Sequence, residues 1–147
     1  MKCRSLRILN YLLVIAGLLV AGRSAQATDP SQISGSYQVL QKTDLGALTR
    51  IRMEIHLTNH GARDLHIQRL TLWDLSHPGK GETQACSLVV HPGAATDTEQ
   101  EFTIPRGEFE LWSRGSRPRL VLEVSRPNGG KTNEVVRLER ISGGKVD

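Results

Sequence analysis

Between Ile51 and Thr58 apolar and polar residues change places at every step, with Ile51, Met53, Ile55 and Leu57 separated by Arg52, Glu54, His56 and Thr58. On an extended strand that period of two puts all four apolar side chains on one face, whereas a helix would scatter them. The pattern recurs along the chain. Tyr37 and Val39 show it within Ser36 to Leu40, and Leu65 and Ile67 restart it after the turn-forming segment Asn59-His60-Gly61-Ala62-Arg63-Asp64. At Leu70 and Leu72 the phase shifts by one residue, which predicts a bulge near Gln68-Arg69. Cys86, Leu88 and Val90 form a short strand ended by His91-Pro92-Gly93, and Phe102 with Ile104 another, closed by Pro105-Arg106-Gly107. Leu120, Leu122 and Val124 turn at Pro127-Asn128-Gly129-Gly130 and return as Val136 and Leu138. Phe109, Leu111 and Trp112 fit neither period and predict one helical turn or corner that plugs the core, while Trp73, Phe109 and Trp112 are expected to seal its edges. Seven short strands without a long helical segment predict an all-β fold, a single seven-stranded antiparallel β-sandwich.

The first residues read differently. Lys2, Arg4 and Arg7 precede an apolar run from Tyr11 to Gly22 and then Ala25-Gln26-Ala27. That is the order of a cleavable signal peptide over residues 1–27, and about twelve apolar residues fall short of the ~20 that span a bilayer as a helix. The expectation is an exported protein, periplasmic or extracellular, whose domain occupies residues 28–147 and keeps no transmembrane anchor after cleavage. Thr28 at the cut offers no thiol for a lipid, and no Arg-Arg pair precedes the apolar run.

Removing the leader also changes the charge and the cysteine count. The whole chain has 19 basic and 15 acidic residues, and the leader takes Lys2, Arg4, Arg7 and Arg23 but no acid. The remainder is neutral, so the field that phosphate recognition needs is missing and nucleic acid is not an expected partner. Cys3 leaves as well, so Cys86 has no partner for an intramolecular disulfide.

The segment Leu57-Thr58-Asn59-His60-Gly61-Ala62-Arg63-Asp64-Leu65-His66-Ile67 resembles a strand-turn-strand unit of bacterial immunoglobulin-like and fibronectin type III-like domains. Trp73 in the following strand and a corner before the penultimate strand are similar too. The resemblance implies a fold and transfers no active site.

Side chains able to carry chemistry are few. Cys86 with His56, His60, His66, His77 and His91 has the ligand types of a blue-copper site, but Cys86 shares the parity of Leu88 and Val90, His91 does not, and no Met follows. Cys86 is therefore expected to be a buried, inert thiol. His56 and His66 could form half a zinc site only in a simple hairpin; immunoglobulin connectivity would separate them. No Gly-x-Ser-x-Gly, His-Glu-x-x-His or phosphate-cradling loop occurs, and Ser142-Gly143-Gly144-Lys145 has Ser-x-x-Lys spacing only in the tail. The paired acids Glu99/Glu101 and Glu108/Glu110 read as a solvated side. The expectation is no enzyme activity, no cofactor and no metal.

Charge placement is uneven. Asp97, Glu99, Glu101, Glu108 and Glu110 crowd together, and Arg114, Arg117, Arg119 and Arg126 follow. Either the two blocks face each other across the fold, or Arg114, Arg117 and Arg119 form an exposed basic loop for an anionic partner. The functional expectation is an exported, non-catalytic binding or structural module that recognises a protein or an anionic envelope component. The alternative is a small ligand- or metal-binding accessory protein of an exported enzyme.

Overall fold

The computed structural model describes residues 32–77 and 79–141. The expected leader and the Ser142 to Lys145 tetrapeptide lie outside them. Seven strands and one helix follow in the order β1 (Ile33–Leu45), β2 (Leu48–Asn59), β3 (Leu65–Trp73), β4 (Gly81–Val90), β5 (Ala95–Pro105), α1 (Arg106–Ser113), β6 (Arg119–Ser125) and β7 (Lys131–Arg140). The chain is all-β, and the strands form one sheet in the order β4-β3-β6-β7-β1-β2-β5.

Two antiparallel ladders make up most of that sheet. β2 pairs with β1 and β5, while β3 pairs with β4 and β6, and β6 with β7. They join where β1 runs parallel to β7, with Gly35 opposite Leu138 and Tyr37 opposite Arg140. The sheet is thus mixed, and the expectation of wholly antiparallel pairing is corrected at this one junction. A parallel pair needs a long crossover, and here the five intervening strands supply it. Glycine eases the approach at the junction, because a Cβ at Gly35 would stand 2.7 Å from Leu138 Cδ2 and 3.0 Å from Val136 Cγ1 and would force the leucine to shift.

The outermost strands, β4 and β5, approach each other and curl the sheet nearly into a barrel. No ladder joins them. Side chains stitch the seam instead: the Thr103 N–H donates to the Glu82 carboxylate, Gln84 Nε2 donates to the Glu101 carbonyl at 3.0 Å, and Thr96 Oγ1 donates to the Val89 carbonyl at 3.5 Å. Polar side chains at these positions occupy edge groups that would otherwise template another strand.

Alternation places the core as the sequence predicts. Tyr37, Val39, Ile51, Met53, Ile55, Leu57, Ile67, Leu70, Leu72, Phe102, Ile104, Leu120, Leu122, Val124, Val136 and Leu138 are all buried in one cluster. The predicted bulge is present, since the registers of β3 with both neighbours shift between Ile67 and Arg69. A second shift lies between Val39 and Gln41 on β1. Leu88 is only half-buried because β4 ends the strand order.

The helical turn is eight residues long. Pro105 fixes its entry, and Gly115 in the left-handed region, with φ of 100°, ends it. The Ser116 N–H then donates to the Leu111 carbonyl and the Gly115 N–H to the Trp112 carbonyl, the paired bonds of a Schellman cap. Trp112 enters the core at 3% exposure, deeper than the edge seal expected, and Phe109 packs half-buried beside it. Trp73, also expected at an edge, instead lies on the outer face, since its neighbour Leu72 points inward.

Phe102 is fully buried, so Phe102→Ala should lower stability by about 3–5 kcal/mol. Urea denaturation followed by circular dichroism measures it.

Candidate binding surfaces

The Arg114, Arg117 and Arg119 segment connects α1 to β6, and the structure does not gather its arginines at one point. Arg114 caps the end of α1 with its backbone N–H. Arg117 pairs with Glu139 of β7 at 3.1 Å, both side chains exposed. Arg119 stands directly opposite Arg137 across the β6–β7 ladder. Buried Pro118 between them has its carbonyl bonded by the Leu138 N–H at 2.9 Å, so Arg117 and Arg119 both project outward.

The acidic block does not face these arginines. Glu101 is 3.7 Å from Arg50 and Asp97 is 2.6 Å from His56 Nδ1, both partners lying on β2. Glu54 and Glu99 are directly opposed across β2 and β5. Compensation on this outer face is thus local, at Glu101 and Asp97 and not where Glu54 meets Glu99, and it does not involve the arginines after α1.

Across the outer face of the other ladder, register defines two rows. Trp73 lies between Gly81 and Arg119, and Arg119 is followed by Arg137. The next row reads Thr83, Thr71, Val121 and Val135, with a 2.9 Å hydroxyl contact between Thr71 and Thr83. Val121 is only 7% exposed although it lies outside the core, and Val135 beside it is 45% exposed. Among the described residues neither Arg119 nor Arg137 forms an ion pair. This strip of tryptophan, valines and two adjoining arginines was missed as a unit by sequence reading, because its members come from separate strands.

Glu108 is the clearest departure from the sequence reading. Instead of a solvated acid it is 2% exposed, and its carboxylate accepts hydrogen bonds from the Leu75 N–H at 3.0 Å, Trp112 Nε1 at 3.0 Å and Ser76 Oγ at 3.4 Å. Helical spacing brings Glu108 under Trp112 one turn later, and the β3–β4 loop supplies the remaining donors. Beside it a cavity of about 320 Å³ is lined by Asp74, Lys80, Glu82, Thr103 and Ile104 among others. Its acids are already engaged: Glu82 in the β4–β5 seam, and Asp74 with the Ser76 N–H at 2.8 Å and His77 Nδ1 at 2.7 Å.

The histidines do not come together as a hairpin pair would. His56 lies on β2 and His66 on β3, in different ladders. Ser36, His56 and Asp97 do share one cross-strand row, but His56 Nε2 faces Glu54 at 3.5 Å, and no hydrogen bond joins it to Ser36. His91 bonds Asp64 at 2.9 Å. Among the described residues no group of three or more His, Cys, Asp or Glu side chains is arranged to hold a metal ion. Cys86 turns toward the core as its parity implies, though it is half-buried, and its thiol donates to the Ile67 carbonyl at 3.7 Å.

No protein-family model and no curated protein matches the chain. Solved structures give distant likenesses. Northeast Structural Genomics Consortium target SoR45 aligns with a TM-score of 0.45 and 9% identity over 72% of this chain and 82% of its own. A protein from Archaeoglobus fulgidus aligns with a TM-score of 0.41 and 12% identity over 69% and 87%. A GH20 exo-β-N-acetylglucosaminidase from Vibrio harveyi, in complex with N-acetylglucosamine, aligns with a TM-score of 0.43 and 14% identity over 80% of this chain but 20% of that enzyme. These likenesses assign neither family nor activity.

Two measurements follow from the titratable groups. Burial alone would raise the Asp74 pKa, but the bonds from His77 and Ser76 and the contact with Glu108 outweigh it and hold the carboxyl below its ordinary value of 3.8. A depressed carboxylate contributes stability above its unfolded pKa and loses it as pH falls through the folded one. Between about pH 5 and pH 3, Asp74→Asn should therefore lose less stability than the unaltered protein, as read from urea midpoints. Burial pushes the Cys86 thiol up, so a disulfide reagent at neutral pH should label it slowly in the native protein and at once after unfolding.

Proposed function

We propose that the chain, freed of residues 1–27, works outside the cytoplasm as a non-catalytic binding module and docks on an acidic protein surface through the outer face of β3, β6 and β7. The observation that carries this reading is the Arg119–Arg137 pair. Like charges directly opposite on a ladder are destabilising. Among the described residues no carboxylate pairs with either one, whereas Arg117 next along has Glu139. An acidic partner would offset that repulsion on binding. Half-buried Trp73 and exposed Val135 beside the arginines supply apolar contact area, the mixture of aromatic and arginine that interfaces favour.

The same reading extends to architecture. The division into a β1-β2-β5 ladder and a β4-β3-β6-β7 ladder, each with its apolar side inward, supports the two layers of an immunoglobulin-like or fibronectin type III-like sandwich. The short corner helix before β6 agrees with that arrangement. In such a module binding would come from a rigid outer face, with no chemistry at the surface.

The test is charge reversal. Arg119→Glu with Arg137→Glu should weaken capture of the acidic protein recovered by the unaltered domain from a native envelope extract by at least roughly tenfold, with a steep salt dependence in the parent. Arg114→Ala should change it little. Undiminished capture by the double variant overturns the proposal, as does binding confined to vesicles of anionic lipid.

A further inference from the structure

Another cavity lies where the α1–β6 connection meets β1 and the end of β7. It has a volume of about 320 Å³ and is lined by Tyr37, Trp112, Ser116, Arg117, Glu139 and Arg140, with Ser113, Gly115 and Leu138 completing it. That is the lower end of the size range of small-molecule sites, which span roughly 300–1,000 Å³.

Its floor is aromatic. Tyr37 is 1% exposed and meets Trp112 edge-on, with ring centroids 5.9 Å apart and planes at 72°. Register sets Tyr37 beside Arg140 on the parallel junction, and the Ile141 N–H donates to the Tyr37 carbonyl at 2.9 Å, which holds the end of β7 in place. Tyr37 and Arg140 both line the cavity, so the phenol and the guanidinium can reach the same occupant. A tyrosine that is apolar in body and polar at its tip suits a cavity floor that must also hold a polar ligand. Burial raises the Tyr37 pKa and Arg140 pulls against it, so the hydroxyl keeps its proton at neutral pH and lies within reach of the Arg140 charge.

The walls favour an anion. Two guanidinium groups, Arg117 and Arg140, stand against one carboxylate, Glu139, and Arg140 has no ion-pair partner among the described residues. The carbonyls at the end of α1 are capped by the N–H groups of Arg114, Gly115 and Ser116, so they do not present their negative end to the cavity. We propose that this cavity binds a small oxyanion, a molecule carrying one carboxylate or phosphate, with Arg117 and Arg140 as charge partners and the Tyr37 hydroxyl as hydrogen-bond donor. The guanidinium forks match either group in two-point fashion. Unlike the docking reading, this site takes a small molecule in a cavity and uses neither Arg119 nor Arg137, so each stands or falls alone.

The chain has two tryptophans, so Trp73→Phe leaves Trp112, in the cavity floor, as the fluorescent reporter. In that background sodium glucuronate and inorganic phosphate are titrated separately at constant ionic strength, with chloride as control. The expected result is a saturable change in Trp112 emission with at least one of them; glucuronate alone assigns a carboxylate, phosphate alone a phosphate. Arg140→Ala should weaken it roughly tenfold and Tyr37→Phe several-fold, with Arg119→Ala unchanged. If Tyr37→Phe fails to fold, the exposed Arg117→Gln takes its place. No saturable response to either probe overturns the proposal, as does a response that Arg140→Ala leaves intact.

Discussion

The short parallel contact between β1 and β7 is the constraint on which the rest of the molecule depends. Without it the chain would be two antiparallel ladders with separate apolar faces. Gly35 allows the approach, because its missing side chain is the space that Leu138 and Val136 fill. The junction brings Tyr37 and Leu57 from one ladder into the same core as Val136 and Leu138 from the other. It also sets Tyr37 against Arg140, so the contact that unites the core builds the floor and one wall of the oxyanion cavity.

The opposite end of the sheet is closed by different physics. β4 and β5 share no ladder, and Glu82 and Gln84 reach across to backbone groups of β5 that a third strand could otherwise claim. Below that seam α1 plugs the open end with Trp112, and Glu108 becomes an internal cap for the β3–β4 loop. Burying a carboxylate is costly unless its oxygens are satisfied, and three donors meet that requirement here.

Charge is distributed by register rather than by sequence block. Two acids of β5 find bases on β2, Asp97 with His56 directly opposite and Glu101 with Arg50 on the diagonal, because antiparallel pairing sets those positions close together. That local compensation leaves the arginines after α1 free of them. One of these, Arg117, is tied to Glu139, while Arg119 meets another arginine, and the difference divides a continuous basic segment into two electrostatic settings.

By itself the sequence determined the all-β character, the seven strands, the bulge at Gln68-Arg69, the helical turn before β6 and nearly the whole core, because period-2 burial and Gly/Pro punctuation are local signals. Arg114, Arg117 and Arg119 were visible as a cluster for the same reason. The direction of the β1–β7 pairing was not, since Gly35 reads as a weak strand residue until its neighbour is known. Glu108 was misread as solvated, because a residue in a single helical turn has no periodicity to reveal which side is buried. The Arg119–Arg137 pair and the Tyr37–Arg140 cavity exist only in the folded sheet. Their members are far apart in the chain, and only the tertiary structure, through cross-strand register, decides which of them meet.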